Sequence, residues 1–293
     1  RVCSTIWASP RWAIRANAKA LAEVIRAEGV EVVHARSRAP AWAGWYAAKA
    51  TGVPFVTTWH GVYKENFPGK WFYNRIMGRG RPVIAVSEFI AAMIRARLPE
   101  AEVVTIPRGA DIAAFDPAAI SGARTAELAE RWGLVEDPRP VVMLPGRLTR
   151  WKGQAHFIDA AALLRERRGA EDFLFLMVGG EPDSAYGREL AARIRERGVE
   201  GCCALAGHCD DMAAGLKLAS VVVSASLEPE AFGRVAVEAQ AMGRPVIATD
   251  HGGARETVED GRTGWRYPPG DATALAEAVQ KALELDESAR EHM

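Results

Sequence analysis

Residues Val221–Asp250 run VVVSASLEPEAFGRVAVEAQAMGRPVIATD. A β-branched segment, Val221–Ser226, leads through a polar loop to an amphipathic segment over Gly233–Met242, then to a second apolar run over Pro245–Asp250. Two short apolar runs joined by a helix-length crossover are the pattern of a βαβ unit, because parallel strands need a connection long enough to return to the same end of the sheet.

The alternation extends outward in both directions. Val141–Pro145, Phe173–Gly179 and Cys203–Ala206 are strand-like, while Gln154–Arg167, Tyr186–Arg197, Met212–Ala219 and Ala272–Glu284 have helical spacing. Upstream, strands are expected at Val30–Ala35, Pro54–Trp59, Val83–Ser87 and Val103–Pro107, with helices at Ala13–Glu28, Pro40–Ala50, Pro68–Met77 and Glu88–Arg97. The connector Arg108–Pro140, with one helix expected at Ala123–Trp132, separates the two series. The expected fold is α/β, with two tandem Rossmann-like doubly wound domains over residues 1–120 and 121–293. The first domain reads as incomplete, since only a fragment at about Arg1–Ile6 precedes its first long helix.

The 293 residues are 49% hydrophobic and 25% charged, a balance that suits a globular chain with a large core. No apolar run has the length of a membrane span, and no segment reads as a secretory leader. Cys3, Cys202, Cys203 and Cys209 lack Cys-x-x-Cys spacing, which argues against zinc and for reduced thiols. A cytoplasmic location is therefore expected. Charge is uneven: Arg1–Pro107 holds 15 Lys and Arg against 7 Asp and Glu, and the remainder 22 against 30. The basic first half suits an anionic partner or is simply a solvated basic face. Phosphate-loop, Gly-x-Gly-x-x-Gly and Gly-x-Ser-x-Gly signatures are absent, as is the Asp-x-Asp pair that would hold a metal on a nucleotide diphosphate.

Two loops carry chemistry. Glu230 follows an expected strand, where open α/β sheets bind ligands, and Glu238 falls eight residues later in the following helix. Eight helical residues rise about 12 Å, roughly the span from ribose to hexose in a nucleotide-sugar. Between the acids, the backbone N–H groups near Phe232, Gly233 and Arg234 form a helix N-terminus suited to a pyrophosphate. The bland alternative is a dipole-complementing Glu230 and a solvated Glu238. Arg147 and Lys152 lie in Gly146–Gly153, a second strand-end loop on the same sheet edge. Fixed cations there would stabilise charge on a leaving diphosphate without a metal; the alternative is two surface cations.

These motifs together resemble the donor domain of glycosyltransferase family 4, a retaining family with two facing Rossmann-like domains, the GT-B fold. The resemblance rests on Gly146-Arg147 with Lys152-Gly153, Glu230-x7-Glu238, Ala241–Ala248, Gly252-Gly253 with Glu256, and Gly261-x-x-Gly264. The first domain agrees at Thr58-Trp-His-Gly61, Val86-Ser87 and Ile106–Asp111, where Arg108 stands in place of a commoner Asn. The resemblance implies that Glu230 holds the donor hexose, Glu238 the ribose hydroxyls, and Arg147 and Lys152, with Gly146 beside them, the diphosphate. Phe232, Gly233 and Arg234 would give backbone contacts, and His60 would face the scissile bond. Attack would be front-face, with the leaving phosphate taking the acceptor's proton. Neither a cofactor nor a metal is implied.

His34–Pro40, Thr58–Tyr63, Tyr73-Asn74 and Leu144–Gly153 resemble bacterial lipopolysaccharide-core enzymes of this family, the mannosyl-transferring type among them. That implies hexosyl transfer, as mannose from GDP-mannose or from a similar GDP- or UDP-sugar, to an anionic glycan or lipid-linked acceptor. Peripheral contact at the inner face of the cytoplasmic membrane through the basic first domain is an associated expectation; nucleic acid is not an expected partner. The alternative is a truncated, non-catalytic module that binds a nucleotide-sugar. Two further readings stay open: His34, Arg36 and Arg38 as acceptor-anion ligands or a strand-end turn, and Trp42, Trp45 and Trp71 as an interfacial face or core.

Overall fold

In the computed structural model, which describes residues 11–63, 65, 68–169, 172–286 and 288, the chain divides into two compact units, one ending at Arg108 and one beginning at Gly109. The fragment Arg1–Ile6, and Cys3 within it, lies outside the described residues.

The first unit contains α1 (Arg11–Ala27), β1 (Val33–Ala35), α2 (Arg38–Thr51), β2 (Phe55–Trp59), α3 (Pro68–Asn74), β3 (Val83–Ala85), α4 (Glu88–Arg97) and β4 (Val103–Thr105). Its strands pair in parallel in the order β1-β2-β3-β4. The segment expected as one helix over Pro68–Met77 instead tightens into a 3-10 turn at Arg75–Arg79. Trp59, 1% exposed, anchors the sheet to that turn, its Nε1 donating to Met77 O at 3.0 Å. The other tryptophans stand further out. Trp42 and Trp45 are half-buried, Trp71 is 42% exposed, and Trp42 stacks on the exposed Phe72 at 5.7 Å.

The second unit comprises α5 (Gly122–Arg131), β5 (Val141–Pro145), α6 (Gln154–Arg168), β6 (Leu174–Val178), α7 (Ala185–Glu196), β7 (Cys203–Gly207), α8 (Met212–Leu218), β8 (Val221–Ser224), α9 (Arg234–Ala241), β9 (Val246–Thr249), α10 (Ala254–Thr257), β10 (Gly264–Tyr267) and α11 (Ala272–Leu283). Residues Gly109–Ile120, drawn with the first domain on sequence, group here. Ile120 is buried in this unit's core, and Lys217 Nζ donates to the carbonyls of Pro117 and Ile120 at 2.9 and 2.7 Å.

The six strands are all parallel, in the order β10-β9-β8-β5-β6-β7. The chain winds from β5 outward to β7, returns to the other side of β5 as β8, and winds outward again. Alternate residues of β5 serve opposite layers. Val142 and Leu144 join a core with Phe157 of α6 and Leu275 of α11, and Val141 and Met143 one with Leu128 of α5 and Ala239 of α9. Burial on both faces explains why these strands are continuous apolar runs rather than alternating ones. Cys202, Cys203 and Cys209 are unpaired and buried, and burial pushes all three thiols up. Among the described residues no helix is long and apolar enough to cross a membrane.

Candidate active site

The strand order reverses between β5 and β8, the topological switch point at whose carboxyl ends open α/β sheets take ligands. The loop after β5 is Gly146–Gly153 and the loop after β8 is Ala225–Gly233. They are locked together. Leu227 N–H donates to Trp151 O at 2.6 Å. Gly153 has φ +77°, and a Cβ there would lie 1.9 Å from Ala225 O, so only glycine allows this approach.

Lys152 Nζ reaches across to Glu230 Oε1 at 2.7 Å, with side chains 14% and 19% exposed. Ser226 Oγ donates to the same carboxylate oxygen. The Lys152 ammonium also lies 4.6 Å from the Trp151 ring centroid. Gly146 packs against the Lys152 stem: a Cβ on it would sit 3.6 Å from Lys152 Cδ. Arg147 is exposed and has no carboxylate partner among the described residues. Its backbone is held by Gln154, fully buried, whose Nε2 donates to Arg147 O at 2.8 Å.

The second acid is fixed differently. Gly233, φ +86°, is the N-cap of α9 and provides no capping side chain; Ala236 N–H turns back to Gly233 O at 3.1 Å, and the N–H groups of Arg234 and Val235 take no side-chain cap, the arrangement that suits an anion. Glu238 is 6% exposed, and its Oε1 accepts from both Nε and Nη2 of Arg234. The span of about 12 Å between the acids assumed eight helical residues; α9 begins only at Arg234, so four of those steps are helical and contribute about 6 Å. Arg234, read on sequence as a backbone donor, also orients Glu238 through its side chain.

Each carboxylate therefore engages one oxygen with the protein, and its Oε2 takes no donor from the described residues. Glu230 is further held through its backbone: Gly253 N–H donates to Glu230 O at 2.8 Å, and a Cβ on Gly252, φ +60°, would meet that oxygen at 2.6 Å. His251 Nε2 donates to Ser226 O at 2.9 Å. His208 is a surface residue paired with Asp210. Ser226, Gln154 and His251 escaped the sequence reading because each acts through a hydrogen bond that residue spacing does not encode, to Glu230 Oε1, Arg147 O and Ser226 O; the one signal was a glutamine opening a helix directly after glycine.

In the first unit, His60 follows β2. Its Nε2 lies 3.1 Å from Arg36 Nε and its Nδ1 3.3 Å from Arg108 Nη1. Partial burial, then the charges of Arg36 and Arg108 and the neighbouring His34, hold its pKa down at about 4. His34 pairs with Thr58 Oγ1 at 2.7 Å. Arg38 turns away, donating to Asn74 Oδ1 at 3.0 Å and lying over the Tyr63 ring at 4.7 Å.

Comparison with known proteins gives the family of the chain. Residues 139–285 match the family described as glycosyl transferases group 1, and residues 3–114 match glycosyltransferase family 4. The chain belongs to these glycosyltransferases. Among its relatives is an alpha-D-kanosaminyltransferase of Streptomyces kanamyceticus, 32% identical, with the match covering 96% of this chain and 74% of that protein. Another is a D-inositol 3-phosphate glycosyltransferase of Jonesia denitrificans, 32% identical over 89% of this chain and 66% of its own length. A solved glycosyltransferase from Rickettsia africae superposes with a TM-score of 0.86 at 33% identity, covering 100% of this chain and 76% of that one. Anabaena HepE, solved in complex with UDP-glucose, gives 0.79 at 27% identity, covering 93% and 74%. The glycosyltransferase thus has the GT-B fold, and its matches span between 43% and 74% of the length of curated relatives. The relatives named differ in the sugar and acceptor in their names, so the comparisons establish the family at the level of glycosyl transfer.

Proposed function

We propose that this glycosyltransferase moves a hexose with retention from a nucleotide-diphosphate-sugar to an acceptor hydroxyl, without a metal. One observation carries this reading: two carboxylates beside an uncapped helix N-terminus each present an oxygen with no partner among the described residues. Glu238 Oε2 is suited to the ribose hydroxyls and Glu230 Oε2 to the hexose hydroxyls. The open N–H groups at Phe232, Gly233 and Arg234, with Arg147 and Lys152, are suited to the diphosphate. In the step proposed, the bond from the anomeric carbon to the phosphate oxygen breaks, the acceptor oxygen bonds to that carbon on the same face, and the acceptor's proton passes to the leaving phosphate. His60 is assigned to the acceptor-side unit.

For the donor, the sequence resemblance favours GDP-mannose and a core-oligosaccharide or lipid-linked acceptor, with peripheral membrane contact through the basic first unit. A second reading, a UDP-hexose, is favoured by the complex of HepE with UDP-glucose. A transfer assay with GDP-mannose and UDP-hexoses side by side separates the two, and preference for a UDP-sugar ends the mannose proposal. Glu230→Ala is expected to lower turnover at least about 10²-fold. Unchanged turnover in that variant, or strong inhibition by EDTA, contradicts the site; donor binding with no turnover under any condition identifies a binding module instead.

A further inference from the structure

Three strand ends of the first unit bring donor groups to one point. Arg36 follows β1, His60 follows β2, and Arg108 follows β4, its backbone N–H on Val86 O at 3.3 Å just beyond β3. Arg36 Nε stands 3.1 Å from one ring nitrogen of His60 and Arg108 Nη1 stands 3.3 Å from the other. A guanidinium only donates, and a neutral imidazole accepts at one nitrogen while the other carries a proton. His60 can therefore satisfy one arginine, and the second faces an N–H. The charged and titratable groups acting on the ring are Arg36, Arg108 and His34. Among the described residues neither Arg36 nor Arg108 has a carboxylate partner, whereas Arg38 two residues on is directed to Asn74 and the Tyr63 ring. The cluster has more donors than acceptors and more positive charge than its surroundings balance.

We infer that Arg36, His60 and Arg108 form a binding site for a phosphate monoester, built from residues distinct from those offered to the donor diphosphate. A tetrahedral dianion has enough oxygens to accept from both guanidiniums and from a ring N–H at once, which resolves the donor conflict. With the anion present the arginines turn from the ring to its oxygens, the ring N–H of His60 is the third donor, and the added negative charge raises the pKa of the ring. Attributing this phosphate to the acceptor rests on the proposed glycosyl transfer; the site itself does not.

The test uses the whole chain with inorganic phosphate as probe, following the His60 ring by NMR at constant ionic strength. Phosphate should shift the ring signals saturably and raise the His60 titration midpoint by about one unit or more, with no such effect from chloride. Arg36→Gln with Arg108→Gln should weaken phosphate binding at least about tenfold while keeping nucleoside diphosphate affinity within about threefold, which also reports that the variant folds. Saturating nucleoside diphosphate should leave the phosphate response in place. The inference is overturned by a non-saturable response, by an equal response in the double variant, or by loss of the response when nucleotide is bound. Failure of nucleoside diphosphate to bind, with the phosphate response intact, counts against the donor site alone.

Discussion

Replacing Lys152 with methionine should separate binding from catalysis. In the free protein its ammonium already pairs with Glu230 Oε1 at 2.7 Å, so turning to a diphosphate exchanges one anionic partner for another. The net contribution to nucleoside diphosphate affinity is then about 1 kcal/mol, roughly fivefold. Charge grows on the leaving phosphate as the glycosidic bond breaks, and losing a fixed donor there costs about 3–4 kcal/mol, or 10²–10³ in kcat. Stability should fall as well. Methionine leaves the Glu230 carboxylate, 19% exposed, with Ser226 as its remaining side-chain donor. A fully enclosed broken pair costs on the order of 3–5 kcal/mol; with both ends partly exposed about 1–3 kcal/mol is expected. Adding Glu230→Gln should recover most of that stability and none of the turnover. Calorimetric titration with UDP and GDP, initial rates and chemical denaturation measure the three quantities. A loss of affinity above about tenfold with kcat within about threefold of the parent would refute the exchange-of-partners reasoning.

Other outcomes follow from the same geometry. Gly153→Ala forces a Cβ to 1.9 Å from Ala225 O at φ +77° and should cost about 3 kcal/mol or more, whereas Gly133→Ala, φ +68° with open space around it, should cost about 1 kcal/mol; equal denaturation midpoints would remove the close-approach argument. Arg234→Ala leaves the 6%-exposed Glu238 without its guanidinium and should destabilise by about 0.5–1.5 kcal/mol and weaken nucleotide binding, while Arg262→Ala, whose pair with Glu259 is exposed at both ends, should be silent in both assays. His60 titrates at about 4 in the folded chain against 6.5 in the unfolded chain, so its neutral form favours the fold. That contribution is fully present above pH 6.5 and diminishes as pH falls toward 4, because the unfolded state takes up the proton first. Arg36→Gln should raise the midpoint and narrow this window, read from thermal unfolding against pH; an unchanged window contradicts the charge assignment.

The two series of strands and helices were legible because each element is encoded by a local apolar period, and strands buried on both faces are apolar throughout. β10 escaped because Gly264-Trp-Arg-Tyr267 is short and mixed in polarity, and its place depends on a glycine that lets the strand approach Val246 O, where a Cβ would lie at 2.1 Å. The start of α9 was read one residue early because Gly233 is a left-handed cap, a conformation that spacing does not reveal. Residue types at the site were legible too: Glu230, Glu238, Arg147 and Lys152 stand in loops and a helix that follow apolar runs.

By itself the sequence determined the residue chemistry at each strand end and the alternation that makes those ends face one edge of a sheet. Only the tertiary structure decided which ends are neighbours. Strand order is a long-range property: β8 returns to the far side of β5, and that return brings Lys152 to Glu230 across 78 residues of chain. The same holds for Arg36, His60 and Arg108, which no local pattern relates and which parallel pairing of β1 through β4 brings to one point.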